Sequence, residues 1–164
     1  MPPTTTEFLE HLDSVHKRTR RLIPLIPEAD LEWRPREGAF SFGDLVRHLA
    51  TIEREMYAEN VQQRPSRYKG CGPDLAAGSK NVLDFYDRLH AESRAIFASL
   101  TDENLAAKCS TPAGTPITTW KWLRAMVEHE AHHRGQIYLM LSMRGVTTPP
   151  VYGLTSEEVA ARAV

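Results

Sequence analysis

WKWLRAMVEHEAHHRGQIYLMLSMRG, residues 120–145, is the stretch whose reading decides the fold of this chain. Its apolar residues recur at the three- and four-residue steps of a helix, and Gly145 stands where a helix often closes on a left-handed residue. The spacing predicts one helix from about Thr118 to Arg144. At about 100° per residue its inward stripe is Trp122, Met126, His129, His133, Ile137 and Met140, with Gln136 on the flank. Two histidines therefore occupy the middle of an apolar face.

Three more stretches carry the same periodicity. Thr4-Thr5-Thr6-Glu7 reads as a capping box, followed by Phe8, Leu12, Val15, Thr19 and Ile23 until Pro24 and Pro27 stop the pattern. Ser41-Phe42-Gly43-Asp44 opens a second helix with Phe42, Leu45, Leu49, Ile52 and Met56 along one stripe, fading near Asn60. A third uses Val82, Phe85, Leu89, Ile96 and Leu100, with Ser79 or Asn81 as its cap. No run alternates long enough to predict a strand, and there is no internal repeat. The class is all-α. Four one-sided stripes bury best around a common axis, which predicts a four-helix bundle, and the lengths of the intervening loops predict at least one crossover connection. One domain is expected over residues 1–164, with the bundle at about 4–145 and a tail at 146–164 ending in a short helix capped by Thr155 and Glu158.

A chain of 164 residues with 41% hydrophobic and 25% charged residues can build a core without disulfides or a stapling metal. The formal charge of −1 gives no electrostatic footprint for nucleic acid, and the basic run Lys17-Arg18-Thr19-Arg20-Arg21 reads as a solvated helix face. Neither a signal peptide nor an apolar run near 18 residues is visible, so no membrane association is expected and the expected location is the cytoplasm. Cys71 and Cys109 form no C-x-x-C pair and read as a loop or core thiol each.

An i, i+4 histidine pair lies one helical turn apart on the same face, near enough for both rings to reach one ion. Two imidazoles buried without partners would cost about 1–3 kcal/mol each, and a shared metal removes that cost. A third ligand has to come from another helix. His16 lies on the apolar face of the first helix, His48 at the edge of the second stripe, and His90 further off; periodicity does not choose between His16 and His48.

"SFGDLVRHLATIERE" at residues 41–55, followed by "WKWLRAMVEHEAHHRGQIYLMLSMRG" and preceded by "LEWRP", closely resembles the DinB/YfiT-like family of metal-binding helical proteins. The resemblance implies a four-helix bundle with a long crossover, often a homodimer. It selects His48, His129 and His133 as the metal triad and leaves His16 as a core or supporting residue. It further implies a metal-dependent S-transferase or thiol-dependent isomerase, in which the metal activates a low-molecular-weight thiol such as bacillithiol or mycothiol.

The same stretch satisfies the H-E-x-x-H pattern of zinc peptidases. That reading is set aside. It lacks the strand that would hold an extended substrate, and the H-x-x-G-x-x-H extension fails because Gly135 is one place early and position 139 is Leu. Glu130 is read as a helix-flank residue and a candidate base. Gln136 is a candidate to hydrogen-bond water or cofactor, and Arg134 to pair an anionic thiol, although its position reads as exposed. Gly135 suggests close packing by a neighbour, and Trp33, Trp120 and Trp122 read as core or bundle-end packing. Three imidazoles suit zinc or nickel, with iron or cobalt as alternatives. The partners expected are a small-molecule thiol and an electrophile; the alternatives are a metal-dependent small-molecule hydrolase and a non-catalytic, stress-related metal-binding bundle.

Overall fold

A computed structural model of the chain describes residues 3–163. Four long helices form the body: α1 (Thr5–Arg20), α2 (Phe42–Ile52), α3 (Ser79–Ala98) and α4 (Thr119–Met143). Thr4 and Ser41 cap α1 and α2 with the reciprocal bonds expected of Glu7 and Asp44. At α4's end, the Val146 N–H donates to the Leu141 carbonyl and Gly145 takes φ 72°. That left-handed glycine closes the last turn and returns Val146 to the core. A short terminal helix, Ser156–Ala160, is capped by Thr155 and Glu158.

Both α1 and α2 pack against α3 and α4, which places α1 and α2 across the diagonal of a four-helix bundle. Consecutive helices that are not neighbours need a connection that crosses one end of the bundle. Residues 21–41 make that crossing, with two single-turn 3-10 segments (Ile23–Leu25 and Glu28–Asp30) on the way.

Four local features differ from the sequence expectation. Residues 108–118 contain a small antiparallel hairpin, β1 (Lys108–Ser110) with β2 (Pro116–Thr118), whose three-residue strands are too short to leave an alternating signal. The N-cap of α3 is Gly78, not Ser79 or Asn81, and the Ser79 backbone N–H reaches Glu28 Oε1 instead. Beyond Ile52 the second helix widens into a π-helical segment, Glu53–Tyr57, before a last α turn, Ala58–Asn60. The wider turn rotates its inward face, so Glu53 and Tyr57 are buried in place of the expected Ile52 and Met56. Finally, a Cβ at Gly135 would meet nothing within 4 Å, so no neighbour explains that glycine.

The core has two apolar clusters. One gathers Leu22, Phe42, Leu45, Leu49, Val82, Ile137 and Leu141; the other gathers Phe8, Leu12, Phe97, Leu105, Leu123 and Met126. Fully burying each such side chain stabilises by roughly 1.5–3 kcal/mol. Trp33 packs on the first cluster, Trp120 and Trp122 on the second. Cys109 is buried and Cys71 half-buried, both free. None of the described helices is long and apolar enough to cross a membrane.

The side chain of Arg47 is fully buried in the middle of α2. Its Nε–H donates to the Cys71 carbonyl at 2.7 Å, and its terminal nitrogens reach Glu32, Asp44 and the Ala76 carbonyl at 2.8–3.0 Å. All five N–H donors are thereby used. Arg47→Ala should lower the unfolding free energy by about 2–4 kcal/mol, because it empties a buried site and leaves the Cys71 and Ala76 carbonyls without their donor, while Asp44 keeps Arg34 and Glu32 reaches water. Gly135→Ala should raise it by about 1 kcal/mol, since the glycine only weakens an exposed helix turn. Urea midpoints read both, and a neutral Gly135→Ala would show that the bare Cα is needed after all.

Candidate metal centre

Between the two apolar clusters the bundle core turns polar. α2 contributes His48, and α4 contributes His129 and His133 one turn apart. The three side chains meet: His48 Nε2 is 3.1 Å from His129 Nε2, which is 3.0 Å from His133 Nε2. They are the one cluster of His, Cys, Asp or Glu among the described residues with three ligand atoms within 4.8 Å of one another.

The outer ring nitrogens show which way the lone pairs face. His133 Nδ1 lies 2.6 Å from Gln136 Oε1, an acceptor only, so Nδ1 carries the proton and Nε2 presents its lone pair. His48 Nδ1 is 2.8 Å from the Tyr68 hydroxyl, which can accept from the same tautomer. His48 and His133 Nε2 lie 3.1 and 3.0 Å from His129 Nε2, and one cation among them can take a lone pair from each neutral ring. A tetrahedral ion with bonds of about 2.0–2.1 Å separates its ligands by about 3.4 Å, so the rings need to spread by only a few tenths of an ångström. The donor set fits a divalent ion with at least one position left open.

His129 has no side chain on its outer nitrogen among the described residues. It borders a cavity of about 10 Å³, shared with Glu53, Tyr86, His90 and Glu130. That is near the smallest volume that takes one water, and a metal-bound histidine ordinarily donates its second N–H to a carboxylate, a carbonyl or water.

Around this cavity lies a buried titratable network. His90 Nδ1 pairs with Glu53 at 3.0 Å, the Tyr86 hydroxyl meets His16 Nδ1 at 3.1 Å and Glu130 Oε1 at 3.5 Å, and the His16 ring stacks on His90. His16 is thus a partnered core residue, and His90 is buried although the stripe placed it further off. Burial, with the charge of Glu53 added, raises the Glu130 carboxyl to about 7. Burial alone would lower His90, but its bond to Glu53 and the surrounding carboxylates raise it. In the triad burial dominates: His48 and His129 are each lowered to about 4, and His133 is lowered too. Neutral imidazoles, the form that binds metals, are therefore the resting state at neutral pH.

The remaining candidates separate clearly. Gln136 orients His133. Glu130 is buried rather than on a flank, facing Tyr86. Arg134 is buried rather than exposed, and its guanidinium donates to the Val15 carbonyl at 3.4 Å. Sequence reasoning missed Tyr68, Phe40 and Glu53. Phe40 and Tyr68 lie in loops without periodicity, and Glu53 is brought inward by the π-helical turn.

The family model of the DinB superfamily matches residues 11–137. This chain belongs to the DinB superfamily. A DinB-like protein from Bacillus cereus ATCC 10987 superposes with a TM-score of 0.80 at 20% identity, covering 93% of this chain and all of that one. YfiT from Bacillus subtilis, described as a probable metal-dependent hydrolase with an unusual four-helix bundle topology, gives 0.69 at 19% identity over 87% of this chain and 89% of its own. A mycothiol-dependent maleylpyruvate isomerase gives 0.64 at 11% identity over 81% of this chain and 60% of its own. At these identities the likeness establishes the DinB bundle and nothing finer.

The depressed histidines set a pH dependence for the metal-free protein. His16, lowered to about 3, and the triad take up protons in the unfolded chain first as pH falls below about 6.5, so the stability that they contribute is lost from there downward. Glu130 and His90, raised in the folded state, oppose this. Four lowered histidines outweigh two raised groups, so melting temperature by circular dichroism should fall between pH 6.5 and 4.5. A rise would show that Glu130 and His90 dominate.

Proposed function

We propose that His48, His129 and His133 hold one divalent ion, zinc or nickel, and that the protein transfers the sulfur of a low-molecular-weight thiol to an electrophilic carbon. The observation that carries this reading is the convergence of three neutral imidazole nitrogens, two of them held from behind by Tyr68 and Gln136, with no fourth protein ligand among the described residues. A bound divalent ion supplies a thiolate at neutral pH, where a free thiol with a pKa of about 8.5 is mostly protonated.

The chain's own residues prepare the rest. Gln136 fixes the tautomer that leaves His133 Nε2 free, and the Tyr68 hydroxyl accommodates the same tautomer at His48. Burial keeps the imidazoles neutral, and Phe40, with its ring centroid 5.4 Å from that of His48 and 6.1 Å from that of His133, shields the site with an apolar wall. In the transfer the sulfur–carbon bond forms as the carbon's leaving group departs with its electron pair; the thiol proton has already gone to solvent. The mycothiol-dependent relative supports a thiol as co-substrate. The description of YfiT supports a second reading, hydrolysis by hydroxide, which needs no thiol. Glu130 does not favour it as base, because its carboxyl faces Tyr86 and the Glu53–His90 pair.

Elemental analysis should find about one divalent ion per chain, lost in His48→Ala and His133→Ala. Tyr68→Phe and Gln136→Leu should keep the site but weaken it roughly 10–100-fold in competition with a chelating dye. The loaded protein should conjugate one thiol of a panel to monochlorobimane faster than His133→Ala does. Equal rates across the panel would sink the transfer, and turnover of an ester without thiol would favour the hydrolase.

A further inference from the structure

A cleft of about 380 Å³ opens beside the triad, between the 35–40 loop and the last turns of α4. It touches the site at two points: Gln136, which holds His133, lines it, and so does Phe40, which shields His48 and His133. Its walls are mainly apolar. Of the seven large hydrophobic residues exposed among the described residues, three are Phe40, Leu139 and Met143, and all three face this cleft. Exposed apolar side chains gathered in one concavity mark a binding surface, and the volume is that of a small-molecule site.

One charged side chain lines the cleft, that of Arg36. Its neighbours in the fold are committed elsewhere. Arg34 pairs with Asp44 at 2.6 Å and donates to the Ala39 carbonyl at 2.7 Å, and Arg144 pairs with Asp30 at 2.9 Å while stacking on Trp33. These bonds fasten both walls, the loop through Arg34 and the end of α4 through Arg144. Arg36 has no carboxylate partner among the described residues, and its guanidinium makes one bond, to the Glu37 carbonyl at 3.3 Å. A free, planar guanidinium at the rim of a fastened apolar cleft matches a carboxylate or another flat oxyanion on an otherwise apolar molecule.

We infer that this cleft binds the electrophile, and that the electrophile is a small, mainly apolar molecule carrying an anionic group that Arg36 takes. The assignment of the occupant as electrophile rests on the transfer proposed above; the preference for an apolar anion does not.

Two fluorescent probes separate the contributions. 8-Anilinonaphthalene-1-sulfonate carries an anionic group, and N-phenyl-1-naphthylamine has the same rings without it. Titrated into the full chain, with and without zinc, both should bind saturably at one site, the anion roughly tenfold more tightly. Arg36→Ala should abolish the preference while leaving the neutral probe unchanged, Arg36→Lys should restore part of it, and Leu139→Asp should weaken both probes. His133→Ala should leave both affinities alone, so loss of thiol transfer and loss of this cleft are read independently. Equal affinities for the two probes, or a preference that survives Arg36→Ala, would overturn the anionic group. Absence of saturable binding, together with a dimer in sedimentation velocity that Leu139→Asp dissociates, would assign this face to a second copy of the chain instead.

Discussion

The buried guanidinium of Arg47 is the contact on which the site's geometry depends. Burying a charge is unfavourable unless every hydrogen-bonding group is met, and here five N–H donors find Glu32, Asp44 and the carbonyls of Cys71 and Ala76. Those partners come from three places: the crossover connection, the first turn of α2, and the loop that follows it. One residue therefore ties both long connections to the helix that carries His48, its immediate neighbour in sequence. Gly43 belongs to the same clasp, because a Cβ there would stand 2.6 Å from Glu32 Oε1 and 2.8 Å from an Arg47 terminal nitrogen. Two consequences reach the site: the clasped loop delivers Tyr68 to His48, and the clasped crossover delivers Phe40 over the triad.

The second constraint is the polar belt that divides the core. Four histidines with lowered pKa values, a raised carboxyl at Glu130 and the His90–Glu53 pair occupy the level that an ordinary bundle fills with leucine. The π-helical turn makes room for it by turning Glu53 inward without breaking α2. A core of this kind gives up hydrophobic stabilisation at its centre and keeps it at the two apolar clusters. Its advantage is chemical, since low dielectric keeps the imidazoles neutral and the surrounding packing keeps their rings in place.

Much of this was legible in the sequence. The caps at Thr4, Ser41 and Thr155, the left-handed stop at Gly145 and the i, i+4 spacing of His129 and His133 are local signals, carried by residues within a turn of one another. Periodicity failed where the helix itself departed from 3.6 residues per turn, which moved the inward face from Ile52 and Met56 to Glu53 and Tyr57. Charge misled as well. Glu130 reads as a helix-flank residue and Arg134 as exposed because ionised groups are seldom buried, and their partners, Tyr86 and the Val15 carbonyl, sit on other helices, tens of residues away. Tyr68 had no signal at all: it lies twenty residues from His48, in a segment with no repeat. The choice of His48 over His16 also needed more than periodicity, since both lie on or beside an apolar stripe; the fold separates them by bringing His48 to His129 and His133 and His16 to Tyr86 and His90.

The H-E-x-x-H pattern shows why the partner helix matters more than the motif. Two histidines a turn apart can place an ion on their shared face, yet the side on which that ion meets substrate is set by where the third ligand arrives. Here His48 arrives from α2, and the open cleft lies on the flank of Gln136 and Leu139. Glu130, next in sequence to His129 and so about 100° around the helix, points into the core against Tyr86. A glutamate so placed cannot meet water on the substrate side without leaving its buried partners. In this bundle it belongs instead to the polar layer behind His129, where a peptidase would need it in front.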